Sequence, residues 1–159
     1  MKKILFIVVA IATMLFTALF TSCEKEDVGG TATQAMAGDW VITFSNGTQS
    51  ITSGHSLTFN TSANLPTEMW VSNGSNGLNF KVKTSCDLAS MTFQTDGWAE
   101  NVAASGKARI SNGKIVRNGV TLPSGRVVDA ISYDVELDTD PGVVWHAEGR
   151  RYTGFAEDN

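Results

Sequence analysis

The sequence predicts an all-β domain of about eight to ten short antiparallel strands, arranged as a barrel or a sandwich. From Gly38 onward apolar residues recur with period two, and no helical spacing of apolar residues persists for three turns. Asn-Gly pairs, which readily adopt the positive φ of tight turns, separate the alternating segments. A closed barrel of about eight strands can enclose one small ligand, whereas a sandwich fills the same faces with a solid core.

The first segment, residues 1–22, has the layout of a lipoprotein signal peptide. Two lysines precede an uncharged apolar run from Ile4 to Ser22, and no basic cluster follows it. The run FTSC resembles a bacterial lipobox, in which Cys23 is lipid-modified and becomes the new N-terminus. An uncleaved anchor helix and an ordinary secretory signal are the alternatives. Lipid chains on Cys23 would hold the protein to a membrane while the domain stays in water.

Residues 23–36 read as the lipidated cysteine followed by a flexible tether, because they are charged and then rich in glycine. The run EKED after Cys23 resembles the signals that direct some Bacteroidota lipoproteins to the outside of the outer membrane. A plain solvated tether is the alternative. We therefore expect an outer-membrane lipoprotein, facing either the periplasm or the cell exterior, with its β-domain at residues 37–159.

Charge and cysteine content exclude several classes of function. The full chain has a net charge of −4, and loss of Lys2 and Lys3 with the signal would leave 10 basic against 16 acidic side chains, a formal charge of −6. Phosphate binding depends on clustered Lys and Arg, so nucleic acid is not an expected partner. Only Cys86 remains besides Cys23, which rules out an internal disulfide in the lipidated chain and a Cys-based metal site. We expect no metal and no cofactor.

The strands of the first two thirds follow from period-two alternation. Trp40, Ile42 and Phe44 share one face of DWVITF, and Leu57 and Phe59 share one face of SLTFN. The runs EMWVS, NFKVK and SMTFQ alternate in the same way. The run KARISNGKIVR predicts two paired strands joined by a hairpin turn at Asn112-Gly113.

The last third predicts the two longest strands. In RVVDAISYDVEL, Asp129 falls on the apolar face of Ile131 and Tyr133, where a carboxylate needs a partner. The run DTDPGV predicts a type II turn, since Pro141 presets φ and Gly142 permits a positive φ. The strand VVWHAEGRRYTGF returns, and Gly149 at its middle predicts a bulge or bend of the kind that closes a barrel.

Four motifs together resemble a known family. AGDWVITF, SNGKIV, VVDAISYDVEL and GRRYTGFAED are similar to the Bacteroidota lipoproteins described as lipid-binding putative hydrolases. The resemblance implies a lipocalin-like β-barrel of the calycin type, formed by a meander of about eight strands, with a β-sandwich as the alternative. The Gly-Asp-Trp of the first strand also resembles the lipocalin Gly-x-Trp. The family description implies lipid binding and hydrolysis, and each needs support from the residues.

Few residues of the sequence are candidates for a hydrolytic site. The chain has no G-x-S-x-G nucleophile elbow and no H-E-x-x-H zinc helix. The best catalytic candidates are His146 and Glu148, which share a strand face near Asp134 and would act as a base and its orienting group. A solvated outer face is the alternative interpretation of these residues.

Binding of an apolar small molecule or lipid fits the residues better. A barrel interior lined by aromatic side chains suits an apolar ligand, with a few polar groups to orient it. The candidate ligand-binding residues are Trp40, Phe44, Phe59, Phe80, Phe93, Tyr133 and Arg151. Each aromatic residue has a plain alternative role in the core. Asp129 and Arg151 have an alternative as an internal ion pair that fixes strand register.

Three functions therefore stay open from the sequence. The first is a lipocalin-like carrier of a lipid or other apolar molecule, anchored to the outer membrane through Cys23. The second is an esterase-like or lipase-like hydrolase. The third is an interaction module without a cavity, with protein partners at the cell surface.

Overall fold

The structure is a computed structural model that describes residues 29–74 and 76–158. Residues Thr31–Asn159 form one compact unit that contains every described strand. The signal peptide and Cys23 lie outside the described residues. The strands are β1 (Gly38–Ser45), β2 (Ser50–Asn60), β3 (Glu68–Asn73), β4 (Phe80–Asp87), β5 (Thr92–Gln94), β6 (Ala99–Glu100), β7 (Lys107–Thr121), β8 (Val127–Leu137) and β9 (Val144–Arg151).

Eight of these strands close into an antiparallel barrel. The sheet order is β5-β4-β3-β2-β1-β9-β8-β7-β6, and an additional pairing of β5 with β7 joins the two sides of the sheet. Among the described strands, β6 pairs only with the start of β7. The only helical element among the described residues is a short 3-10 helix at Ala156–Asp158. The predicted all-β barrel is confirmed, and the sandwich alternative is wrong.

The apolar face of each long strand points into the barrel. In β1 the buried side chains are Trp40, Ile42 and Phe44, as the alternation predicts. Strand β8 directs Ile131 and Tyr133 inward, and the half-buried Asp129 shares their face. The turn between β8 and β9 also follows the prediction, since Gly142 has a φ of 83° and the Val143 amide donates to the Asp140 carbonyl at 3.3 Å.

The hairpin predicted at Asn112-Gly113 is wrong. Strand β7 runs without a turn through Lys107–Thr121, and its pairing with β8 shifts register at Ser111/Lys114 and again at Val116/Val120. Asn112 has a φ of 54° and Asn118 a φ of 53°. The positive φ that favours Asn-Gly in hairpins serves here for irregularities within one strand.

Gly149 allows two strands to approach closely. A Cβ at this position would lie 2.4 Å from the carbonyl oxygen of Val41 and 2.7 Å from Cγ1 of Ile42. The pairing of β9 with β1 and with β8 continues through Gly149 without a register shift. The predicted bulge is therefore absent at this residue, and glycine is needed for space.

One end of the barrel is covered by residues 31–37, which were expected to belong mostly to the tether. Met36 is fully buried in the core, and its carbonyl accepts a hydrogen bond from the Thr58 hydroxyl at 2.6 Å. The amide of Ala32 donates to Oδ1 of Asn64, in the loop between β2 and β3, at 2.8 Å. This end also carries Arg151, the last residue of β9, and we call it the Arg151 end.

Candidate functional site

Four of the predicted ligand-binding residues meet as an aromatic cluster inside the barrel. The ring centroid of Tyr133 lies 6.1 Å from that of Phe44, 6.4 Å from that of Phe80 and 5.8 Å from that of Phe93. Phe44 and Phe80 also meet edge to face at 6.4 Å. Each of these four side chains is at most 2% exposed. The aromatic cluster, as we call these four residues, fills the middle of the barrel.

The phenol of Tyr133 is the polar feature of the aromatic cluster. Among the described residues its oxygen has no hydrogen-bond partner, although the Ser56 side chain lies nearby. Burial raises the pKa of Tyr133 well above its usual range, with only Ser56 opposing the rise. Ser56 itself accepts a hydrogen bond from Nδ2 of Asn73 at 2.8 Å. The apolar interior therefore offers a hydroxyl group that a polar atom of a ligand would satisfy.

Trp40 and Arg151 meet at the Arg151 end, away from the rings of the aromatic cluster. The guanidinium of Arg151 lies 4.7 Å above the indole ring and donates to the Ala37 carbonyl at 3.0 Å. Its other nitrogen pairs with Asp129 at 3.2 Å, which confirms the predicted ion pair. The indole Nε1 donates to the Thr58 hydroxyl at 2.9 Å. The guanidinium of Arg151 is therefore used for contacts within the barrel. The role of Arg151 and Trp40 in ligand binding stays a prediction.

Phe59 does not line the interior, contrary to the sequence expectation. It pairs with Trp70 across β2 and β3, and both rings lie on the outer face, where the ammonium of Lys81 is 5.1 Å from each ring centroid. The inward residues of this stretch of β2 are Ser56 and Thr58. These two polar residues face inward because each hydroxyl has a hydrogen-bond partner there. The Thr58 hydroxyl accepts from the Trp40 indole, and the Ser56 hydroxyl accepts from the Asn73 side chain.

The catalytic candidates His146 and Glu148 meet on the outer face of the barrel, together with Asp134. Nδ1 of His146 lies 2.7 Å from Asp134, and Nε2 lies 3.1 Å from Glu148. The hydrogen bond to Asp134 raises the pKa of His146, although partial burial opposes the rise and Glu148 adds to it. Both ring nitrogens thus face carboxylates, which stabilises a charged imidazolium. A general base needs one free nitrogen directed at a nucleophile, so this geometry does not suit hydrolysis.

A groove that the sequence did not predict runs over the short strand β5. It has a volume of about 540 Å³, and we call it the β5 groove. A smaller groove of about 210 Å³ lies outside β7 and β8, near Val116 and Ala130. The β5 groove depends on the shortness of β5, for which the sequence carries no clear signal. It is lined by Ser85, Cys86, Asp87, Thr92, Phe93, Gln94, Asn112, Gly113 and Lys114.

Two further features bear on the class of site. Within the described part of the chain, no group of three His, Cys, Asp or Glu side chains is placed to hold a metal ion. No helix in that part is long and apolar enough to cross a membrane. The candidate sites are therefore the aromatic cluster, the β5 groove and the His146 cluster, a name that we give to Asp134, His146 and Glu148.

A closed antiparallel barrel of eight strands around an apolar interior defines a lipocalin-like β-barrel protein. Residues 25–156 match the family described as lipid-binding putative hydrolase, and the chain belongs to that family. No curated protein matched the sequence. The family match confirms the resemblance given by the four sequence motifs. A Bacteroidota source and lipid modification stay predictions.

Proposed function

We propose that the barrel binds a lipid or another small apolar molecule and that lipid modification of Cys23 holds it at the outer membrane. The observation that carries the proposal is the aromatic cluster with the unpartnered phenol of Tyr133 at its centre. Sites for apolar ligands are mostly apolar and contain a few placed polar groups. Membership of a lipid-binding family supports the same function.

Binding requires the aromatic cluster to rearrange, because its rings are packed against one another. Edge-to-face aromatic pairs contribute about 0.5–1.5 kcal/mol each beyond area burial. An acyl chain would replace these contacts with its own apolar contacts. A polar atom beside the Tyr133 oxygen would gain a hydrogen bond, and leaving such a buried group unpaired costs about 1–3 kcal/mol. The ligand thus compensates for the ring contacts that it separates.

A second candidate function is an interaction module without a cavity, which the full burial of the aromatic cluster favours. In that case the four rings are simply the core. The outer face would then bind partners at the cell surface. The outward aromatic residues Phe59 and Trp70 with Lys81 lie on such a face. Hydrolysis is the least supported function, since the only catalytic candidates form the carboxylate-paired His146 cluster.

A dye-displacement titration tests lipid binding directly. The unit of residues 31–159 should increase the fluorescence of an apolar dye, and dodecanoate should displace the dye. We expect Tyr133→Phe to weaken binding of a ligand with a polar group about 3-fold to 10-fold, because one hydrogen bond is lost. Tyr152→Phe is the matched control, since Tyr152 lies beyond β9 against His55 and should leave binding unchanged.

The two other functions predict different results in the same preparation. Absence of dye binding and of any thermal stabilisation by dodecanoate would contradict lipid binding and favour the interaction module. Turnover of a short-chain ester that disappears with His146→Ala would favour the hydrolase. We expect no such turnover.

A further inference from the structure

We propose that the β5 groove binds the carboxylate head group of a single-chain amphiphile, whose acyl chain passes Phe93 to reach the aromatic cluster. The inference rests on the proposed lipid binding and adds two things to it: the chemistry of the head group and the route through the barrel wall. It places the route through the short pairing of β5 with β7 rather than through an end of the barrel.

The groove is built from two rows of paired residues that cross β4, β5 and β7. Asp87, Thr92 and Lys114 form a row on the outer face. Cys86, Phe93 and Gly113 form the adjacent row, which belongs to the inner face. Neighbouring strands lie about 4.8 Å apart, so the backbones of Asp87 and Lys114 are separated by roughly 10 Å. A head group and the first carbons of a chain fit within that span.

The charges of the outer row make one side of the groove positive and the opposite side negative. Lys114 is exposed, lines the groove and has no carboxylate partner among the described residues. At the opposite side, hydrogen bonds from the Ser90 hydroxyl and the Ala89 amide hold the pKa of Asp87 below its usual value. Asp87 therefore stays charged and repels an anion. A carboxylate is favoured at the Lys114 side of the groove and disfavoured at the Asp87 side.

The wall beneath the groove is a short pairing of strands. Strand β5 has three residues, and Thr92 and Phe93 pair with β7. One backbone hydrogen bond of 2.9 Å flanks the pairs on each side, from the Ile115 amide to the Met91 carbonyl and from the Thr95 amide to the Ile110 carbonyl. The Phe93 ring packs directly against Gly113. A Cβ at this position would lie 2.2 Å from the Phe93 carbonyl oxygen and 2.5 Å from Cδ2 of the ring. The same ring touches Tyr133 at 5.8 Å between centroids. The Phe93 ring and the paired backbones of β5 and β7 thus separate the β5 groove from the aromatic cluster. An acyl chain would join the two spaces when this short pairing opens and the Phe93 ring turns aside.

The head-group assignment is tested by comparing dodecanoate with dodecanol in calorimetric titrations of the 31–159 unit. Lys114→Gln should weaken dodecanoate binding about tenfold, because a charge-assisted contact is lost, and should leave dodecanol binding unchanged. Lys107→Gln is the matched control, since Lys107 lies on the same strand outside the groove and pairs with Glu100 at 3.4 Å. It should change neither affinity.

The route is tested with the thiol of Cys86, the only cysteine of this unit. Its reaction with a neutral aromatic disulfide should slow severalfold when dodecanoate is bound, because the ligand covers the groove. If dodecanoate binds but Lys114→Gln behaves like Lys107→Gln and Cys86 stays fully reactive, the groove assignment is wrong while lipid binding stands. If neither amphiphile binds the wild-type unit, both proposals fail.

Discussion

Arg151 links three parts of the molecule through one side chain. Its guanidinium contacts the Trp40 ring, the Ala37 carbonyl and the Asp129 carboxylate. Asp129 in turn accepts a hydrogen bond from the Asn118 amide at 3.0 Å, within an irregular part of β7. The Arg151 end is therefore organised around one ion pair that connects β1, β7, β8 and β9.

Removal of one member of this pair should destabilise the barrel more than removal of both. Arg151→Met leaves Asp129 charged and half-buried, and we expect a loss of about 2–3 kcal/mol in the free energy of unfolding. The loss should be below the about 3–5 kcal/mol of fully buried pairs, because a third of the guanidinium side chain is exposed (33%). Adding Asp129→Leu should recover part of the loss, although the Asn118 amide then loses its acceptor. Urea unfolding of the two single variants and the double variant measures this coupling, and strictly additive effects would contradict it.

The His146 cluster predicts a pH dependence of stability. The folded pKa of His146 is raised above its ordinary 6.5, so its contribution is complete below pH 6.5 and disappears as the pH rises through the folded pKa. Partial burial disfavours the charged form of Asp134, but hydrogen bonds from Asn112 and His146 keep its pKa below the ordinary 3.8. The contribution of Asp134 is complete above pH 3.8 and is lost as the pH falls through its folded pKa.

The stability difference between wild type and His146→Gln should therefore be largest between about pH 4 and pH 6.5 and should shrink toward pH 9. Urea midpoints at pH 5.5 and pH 9 measure it. A difference for His146→Gln that is equal at both pH values would show that the imidazolium contributes nothing.

At the scale of single residues, the sequence predicted which side chains lie on one face but not always which face is inside. Asp129 and Tyr133 were placed correctly because a long apolar run surrounds them. Phe59 was not, because β2 alternates two apolar residues with Ser56 and Thr58. Those hydroxyls have partners inside the barrel that lie far away in the sequence, such as the indole of Trp40. Hydrophobicity alone cannot reveal such partners.

Among the elements, β7 shows the limit of turn prediction. The asparagine of each of its two Asn-Gly pairs has the positive φ that the sequence predicts, and yet the strand continues through both. A positive φ allows a hairpin or an irregularity within a strand, and pairing with β8 on one side decides the outcome. The β5 groove was unpredictable for a related reason, since it depends on a three-residue strand whose length is set by its neighbours.

Gly149 gives a test of the close approach between β1 and β9. Gly149→Ala should destabilise the unit by about 1–3 kcal/mol, the usual cost of overpacking, because the new methyl group meets the backbone carbonyl of Val41. Gly74→Ala is the control, since no atom lies within 4 Å of its added Cβ. Chemical denaturation of both variants measures the difference, and equal stabilities would contradict the close approach.

For the whole molecule, alternation and turn residues were sufficient to predict an all-β domain, either a barrel or a sandwich, and the family resemblance favoured the closed barrel of about eight strands. The function of the N-terminal residues requires a separate experiment. Cys23→Ser should leave an unprocessed precursor that no longer appears as a mature, acylated protein in the detergent phase. A wild-type protein that is mature, soluble and begins at another residue would contradict lipid modification at Cys23.

The pairing of the first strand with the last has a consequence for the time course of folding. Within the described part of the chain, one edge of β1 pairs only with β9, for example at Trp40↔Arg151, so this contact joins residues from nearly opposite ends of the domain. Contacts between residues so far apart in the sequence raise the contact order of the fold. All-β domains of high contact order fold in milliseconds to seconds, which is slow for domains of this size. During synthesis β1 keeps an open edge until β9 has left the ribosome. The barrel therefore cannot close while its last strand is missing, so closure follows the synthesis of nearly the whole domain.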